Sequence, residues 1–224
     1  VYKFDDILKS DYSIIFKYKK SNFYRNLVYS CNAIETKSIL IVAHYDHLGI
    51  IDKELYPGAN DNMSGVWVLF ELAKYLKNYL VNNKLSYRFI FLLSDGEEQH
   101  SIGVKHIRDN KLFEHLNIKY VINLDMLGGC NNNKINLYYI NIDYKIESIQ
   151  TAEKNSKLPI NYIDTPDSII NRCDYIGFKK YPGFILGGCM GNYHEPTDIP
   201  ENLNYDILNK SLEFLKILCI SIKL

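Results

Sequence analysis

Three short apolar runs of this 224-residue sequence end on residues able to bind a metal or move a proton. Residues 38–43 lead into His44-Tyr45-Asp46-His47, residues 87–93 into Ser94-Asp95-Gly96-Glu97-Glu98, and residues 120–124 into Asp125. Asp61, just ahead of a helix-like stretch, and His194, after the run 183–186, complete the set. Imidazole and carboxylate together suit a divalent cation such as zinc, and carboxylates beyond one site's need suggest two ions sharing a bridging side chain. Two such ions, roughly 3.5–4 Å apart, can hold a hydroxide, polarise a carbonyl and stabilise the oxyanion formed on attack, which is what amide hydrolysis needs. Taken singly, each residue has a plainer reading. An Asp or His in a loop is usually a cap, a turn residue or solvated surface, and Glu97-Glu98 alone reads as a pair at a helix start, where the macrodipole favours it. Their joint occurrence at successive strand ends argues for chemistry; His106, His115, Lys53 and Glu54 lack that placement and keep the plainer reading.

The elements that must position these residues follow from periodicity. Apolar residues at Val66, Leu69, Phe70, Ala73, Leu76 and Leu80 predict a helix over 64–80, with Asn62 or Ser64 as its cap. The runs 38–43, 87–93, 120–124 and 183–186 are almost continuously apolar, as strands covered on both faces are, and further strands are expected at 13–18, 27–31 and 134–140. Helical stretches at 102–110, 144–157 and 203–224 alternate with them. The pattern predicts an α/β fold, a three-layer sandwich with a mixed, mostly parallel central sheet flanked by helices. In such sheets ligands gather outside the carboxyl ends of the parallel strands, where the candidate residues fall. One domain over residues 1–224 is expected, with no repeat or linker.

The 26 basic and 26 acidic residues cancel, so no overall field draws the chain to nucleic acid or an anionic membrane. Wholly apolar runs such as 39–43 fall far short of the roughly 20 residues that span a bilayer, so a soluble chain without a transmembrane segment is expected. Because the first residue is Val1, we expect that a preceding segment, a signal peptide among the candidates, has been removed. Cys31, Cys130, Cys173, Cys189 and Cys219 are widely spaced without a CxxC pair, which weighs against a disulfide framework.

The motifs resemble those of the M28 family of metallopeptidases. Ala43-His44-Tyr45-Asp46-His47-Leu48-Gly49 is similar to its first metal motif, and Gly58-Ala59-Asn60-Asp61-Asn62-Met63-Ser64-Gly65 to its second, with Met63 where a small residue is usual. Ser94-Asp95-Gly96-Glu97-Glu98, Asn123-Leu124-Asp125-Met126 and Tyr193-His194-Glu195-Pro196-Thr197-Asp198 resemble the rest of the family's set, so the likeness runs from about residue 39 to the C-terminus. The resemblance implies two divalent metal ions, Zn2+ in the family, served by His44, Glu98, Asp125 and His194 and bridged by Asp61. It implies Glu97 as general base and Asp46 as the carboxylate hydrogen-bonded to the His44 ring, fixing its tautomer. It also leans toward a secreted or periplasmic setting, and toward unusual backbone geometry at Asn60-Asp61. Cys173-Asp174-Tyr175 departs from the Ser-Asp-His that the family often carries before a strand near the substrate. Only about 14 residues separate Asp46 from Asp61, which leaves no room there for an inserted lid or accessory domain.

The expected reaction is removal of N-terminal residues from a peptide substrate. A metal-bridging water gives a proton to Glu97 and attacks the scissile carbonyl, and Glu97 returns the proton to the leaving amine. Tyr193 is the candidate oxyanion donor, with a packed aromatic as its plainer reading. A carboxypeptidase on the same scaffold would need a cation for the substrate's terminal carboxylate, and Arg172 is the nearest candidate. The same motifs also admit a glutaminyl cyclase, and a binding module that has kept the fold without catalysis. Trp67, the only tryptophan, reads as core.

Overall fold

The computed structural model describes residues 12–18, 22–32, 35–129, 134–142 and 146–223. Val1, Cys130, the 144–145 start of one expected helix and Leu224 lie outside the described residues. The strands are β1 (Tyr12–Tyr18), β2 (Asn22–Cys31), β3 (Ser38–His44), β4 (Gly49–Ile51), β5 (Glu54–Tyr56), β6 (Arg88–Ser94), β7 (Ile118–Asp125), β8 (Ile135–Ile140), β9 (Ile160–Asp164) and β10 (Gly183–Gly187). The helices are α1 (Gly65–Tyr79), α2 (Ile102–Asp109), α3 (Glu147–Ser156), the single turn α4 (Asp167–Ile170) and α5 (Tyr205–Ser221). β4 and β5 form a hairpin of their own, and the remaining strands make one eight-stranded sheet in the order β1-β2-β6-β3-β7-β10-β8-β9.

The centre of that sheet is parallel: β3 pairs with β6 and β7, and β7 with β10. β8 and β9 pair in parallel as well, while β1–β2, β2–β6 and β8–β10 are antiparallel, so the sheet is mixed as expected. Every residue of β3 and β10 is buried, because a central strand is covered on both faces. Ile39, Ile41 and Ala43 belong to the core that the inner faces of α1, α3 and α5 share, and Leu40 and Val42 to the core with α2, Phe113, Tyr175 and Phe178 on the opposite side. This alternation, with a period of two, produces three layers. Since β6, β3, β7 and β10 run the same way, their carboxyl ends share one rim.

Four details differ from what the sequence predicts. The segment after His47 folds as the β4–β5 hairpin; its strands are three residues each, too short for alternation to register. β9 is a further strand without a clear sequence signal, being half-exposed and interrupted by Asn161. Trp67 is not core but 40% exposed. Successive helical residues turn by about 100°, so burying Val66, Val68 and Leu69 puts position 67 outside, on the same side as Met63 four residues earlier, which is also exposed. Finally, Cys173 and Cys219 carry free, buried thiols and Cys31 is buried as well, whereas Cys189 is disulfide-bonded, a bond that spacing alone does not signal. No helix among the described residues is long and apolar enough to cross a membrane.

Candidate active site

The rim formed by the parallel strand ends gathers the candidate residues. His44 is the last residue of β3 and Asp125 the last of β7, while Glu97 and Glu98 follow β6 by three and four positions. Asp61 comes from the irregular segment ahead of α1, where Asp61 and Asn62 have non-helical backbone angles and the peptide bond between them is cis. The unusual geometry thus lies at Asp61-Asn62, one bond beyond the expected Asn60-Asp61.

Buried polar groups hold this segment in place. Asp198 accepts the Asn60 N–H at 2.7 Å with one carboxylate oxygen and the Asp61 N–H at 3.0 Å with its second. The Asn60 side chain donates to Cys189 O at 2.8 Å and accepts from Gly128 N at 2.8 Å. Asn62 donates to Leu124 O at 2.9 Å and accepts from Gly65 N and Met126 N, tying the segment to the end of β7. Ser64 Oγ donates to Asn60 O at 2.6 Å and accepts from Leu127 N at 3.0 Å. Gly58 opens the segment with φ +71°, and a Cβ there would come within 2.5 Å of Asp61 O and 2.7 Å of His47 Cβ, so no larger residue fits.

Two trios of side chains result, and they share one member. His44, Asp61 and Asp125 form the first, Asp61, Glu98 and His194 the second, and the ligand-type atoms within each lie within 4.8 Å of one another. His44 Nε2 is 3.2 Å from Asp61 Oδ1 and 3.6 Å from Asp125 Oδ1. His194 Nε2 is 3.3 Å from Asp61 Oδ2 and 3.0 Å from Glu98 Oε2. All four separations exceed the 2.7–2.9 Å typical of a charge-assisted hydrogen bond. Bond lengths of about 2.0–2.2 Å to a tetrahedral zinc would place neighbouring ligand atoms roughly 3.3–3.6 Å apart, close to what is seen.

Two further observations fit a cation. Glu98 Oε1 and Asp125 Oδ1 are buried with no hydrogen-bond partner, leaving acceptors unmet. The local charge is also lopsided, and the carboxyls respond as buried acids without a counter-ion do. Burial, reinforced by neighbouring carboxylates, pushes Glu97 up to about 9 and Glu98 up to about 8. Burial likewise raises Asp125. At His44 burial opposes protonation, but the nearby carboxylates of Asp125, Asp46 and Asp61 outweigh it and the imidazole is raised well above its ordinary value. A cluster that holds protons in this way is suited to positive charge from outside the chain.

Glu97 belongs to neither trio, although it is adjacent in sequence to Glu98. Its backbone N–H donates to Asp46 Oδ1 at 3.1 Å, and Glu98 N donates to Asp46 Oδ2 at 3.2 Å. The expected ring contact of Asp46 is therefore shared out differently: His44 Nδ1 lies 3.2 Å from Asp46 backbone O and 3.6 Å from its carboxylate. The carboxylate acts mainly as a buckle between the loop after β3 and the loop after β6. Tyr193 stacks on the His194 ring, with centroids 3.7 Å apart, and is 38% exposed rather than packed in the core. Burial, then the charges of Asp61, Glu98, Glu97 and Asp125, pushes its hydroxyl up to about 12.

Beside the second trio lies a cleft lined by Leu48, Tyr56, Gly58, Asp61, Glu98, His194, Glu195 and Asp198, with no lysine or arginine among them. Arg172 is exposed and lines no part of this cleft. Cys173, Asp174 and Tyr175, where the sequence departs from the family pattern, are buried under the rim, where Ser94 Oγ donates to Asp174 Oδ2. A cavity of about 630 Å³ beside the start of β6 and the end of α5 contains none of the candidate residues. Spacing and residue type assign no role to Asn60, Ser101 or Asp198, and to Asn62 and Ser64 only that of a helix cap. The Asn-Asp-Asn run around Asp61 and the acid four positions after His194 are the signals that point toward some of them.

The model for peptidase family M28 matches residues 26–216 of the chain. Aminopeptidase YwaD of Bacillus subtilis is 32% identical over 183 residues, which is 77% of this chain but 38% of that protein, so the chain spans about two-fifths of its relative's length. Among solved structures, the LapA aminopeptidase of Legionella pneumophila superposes with a TM-score of 0.71 at 16% identity over 93% of this chain and 58% of that one. The glutaminyl cyclase of Porphyromonas gingivalis gives a TM-score of 0.69 at 18% identity over 92% and 82%. At these identities the two structures speak for the fold alone.

Proposed function

The chain belongs to peptidase family M28, and from that premise we propose that it is a two-zinc aminopeptidase, cleaving the N-terminal residue from peptides. The observation that carries the reading is the pair of imidazole–carboxylate trios sharing Asp61. His44 and Asp125 would hold one zinc, Glu98 and His194 the second, and Asp61 would reach both through its two oxygens. Zinc there supplies Lewis acidity toward a carbonyl oxygen and makes water a readier proton donor. Glu97 stands beside the trios and takes the proton of the attacking water, then returns it to the leaving amine. Asp46 fixes the backbone of Glu97 and Glu98 relative to His44. Tyr193, stacked on the His194 ring, offers its hydroxyl to the oxygen on which negative charge develops.

The carboxylates of the cleft favour the free α-amine of a peptide over its terminal carboxylate, for which the lining offers no lysine or arginine. Comparing kcat/KM for aminoacyl amides with their N-acetylated forms tests this. Acetylation removes the charge and donors of the amine, so turnover should fall by about tenfold or more, the equivalent of 1–3 kcal/mol for unpaired acceptors. Equal turnover, or faster turnover of N-blocked peptides with a free carboxyl terminus, favours the carboxypeptidase reading instead.

A further inference from the structure

Ser101 precedes α2 at the position where a serine commonly caps the first turn by accepting a backbone N–H. It makes no such cap bond, and its backbone is left-handed, with φ +53°. Its hydroxyl, on a residue only 2% exposed, donates instead to Glu97 Oε1 at 3.3 Å. The Ser101 N–H also returns to Glu97 O at 2.8 Å, and Ile102 N to Gly96 O at 3.0 Å, closing residues 96–102 into a compact loop. Tyr24 OH, bonded to Gln99, anchors the loop from the side of β2. The loop thus forgoes a helix cap and directs its buried hydroxyl at one oxygen of one carboxylate.

We infer that Ser101 is a positioning residue for Glu97: by occupying Oε1 it fixes the carboxylate plane and leaves Oε2 as the oxygen that receives and returns the proton. The inference rests on the reading of Glu97 as general base. A hydroxyl placed only to stabilise the fold would have capped α2, whose start has no side-chain cap.

The test is a double-mutant cycle on the zinc-loaded protein, combining Ser101→Gly with Glu97→Gln and using Ser101→Ala as a second single variant. Glycine adopts a left-handed backbone without strain, so Ser101→Gly should keep the thermal midpoint and zinc content of the parent. Its kcat should fall roughly 10- to 100-fold, the effect of losing one hydrogen bond to a charged group, with KM unchanged. Ser101→Ala should fall by as much. In the Glu97→Gln background Ser101→Gly should cost nothing further, because Ser101 acts through Glu97. Full kcat in Ser101→Gly alongside an impaired Glu97→Gln overturns the inference and leaves the base assignment standing, and independent, multiplying effects overturn it too. Full activity in Glu97→Gln defeats the base assignment, and the inference with it.

Discussion

Glu97 and Glu98 are adjacent and chemically alike, yet they face different partners. Glu98 Oε2 sits 3.0 Å from His194 Nε2 inside a trio, while Glu97 is bonded to Ser101 and lies outside both trios. Glu97→Gln should therefore retain zinc and the fold and lose kcat by about 10²–10⁴-fold, the usual contribution of a positioned base. Glu98→Gln should lose zinc first, visible in metal content before any kinetic assay. Reversed phenotypes would show the pair to be misassigned. The types and order of the residues bring His44, Asp61, Glu98, Asp125 and His194 into one reading, because strand ends are recognisable from apolar runs. Asp198 and Ser101 escape it, since their work is hydrogen bonding to backbone amides and to a neighbouring carboxylate, which no spacing rule reveals. Trp67 escapes for a simpler reason: residue type suggests core, while the helical turn that buries Val66, Val68 and Leu69 leaves position 67 outside.

Among the elements, the parallel strands β6, β3, β7 and β10 are legible because burial on both faces leaves a continuous apolar run. The β4–β5 hairpin and β9 are not, being short or half-exposed. Backbone conformation at Asp61-Asn62 is dictated by groups far along the chain, chiefly Asp198, whose carboxylate joins the loop after His194 to the segment before α1. Asp198→Ala should lower unfolding stability by about 1–3 kcal/mol for each buried amide left unpaired, and weaken zinc binding with it. Asp198→Asn, which keeps one carbonyl acceptor, should fall between. Denaturant unfolding in chelator, followed by zinc titration, separates the two effects. An alanine variant with parental stability would show that water replaces the carboxylate at no cost.

For the molecule as a whole, the site makes stability depend on pH and on metal together. Burial raises Glu97 to about 9 and Glu98 to about 8 from an ordinary 4.5, so the folded, metal-free chain keeps protons that the unfolded chain releases. The raised His44 acts in the same sense, adding stability below its ordinary 6.5 that is lost as pH climbs through its folded value. Both contributions make chelated protein less stable as pH rises from about 4.5 to 9, with zinc restoring most at the alkaline end, where its ligands are already deprotonated. A thermal midpoint in chelator that is flat or rises over this range would overturn this electrostatic reading. Whether Asp61 joins two metal positions is decided by titrating the chelated wild-type chain with zinc in a calorimeter while following hydrolysis of an aminoacyl amide. Saturation at two equivalents per chain is expected, with turnover lost in Asp125→Ala. Saturation at one equivalent, with Asp125→Ala still fully active, would refute the shared-carboxylate site.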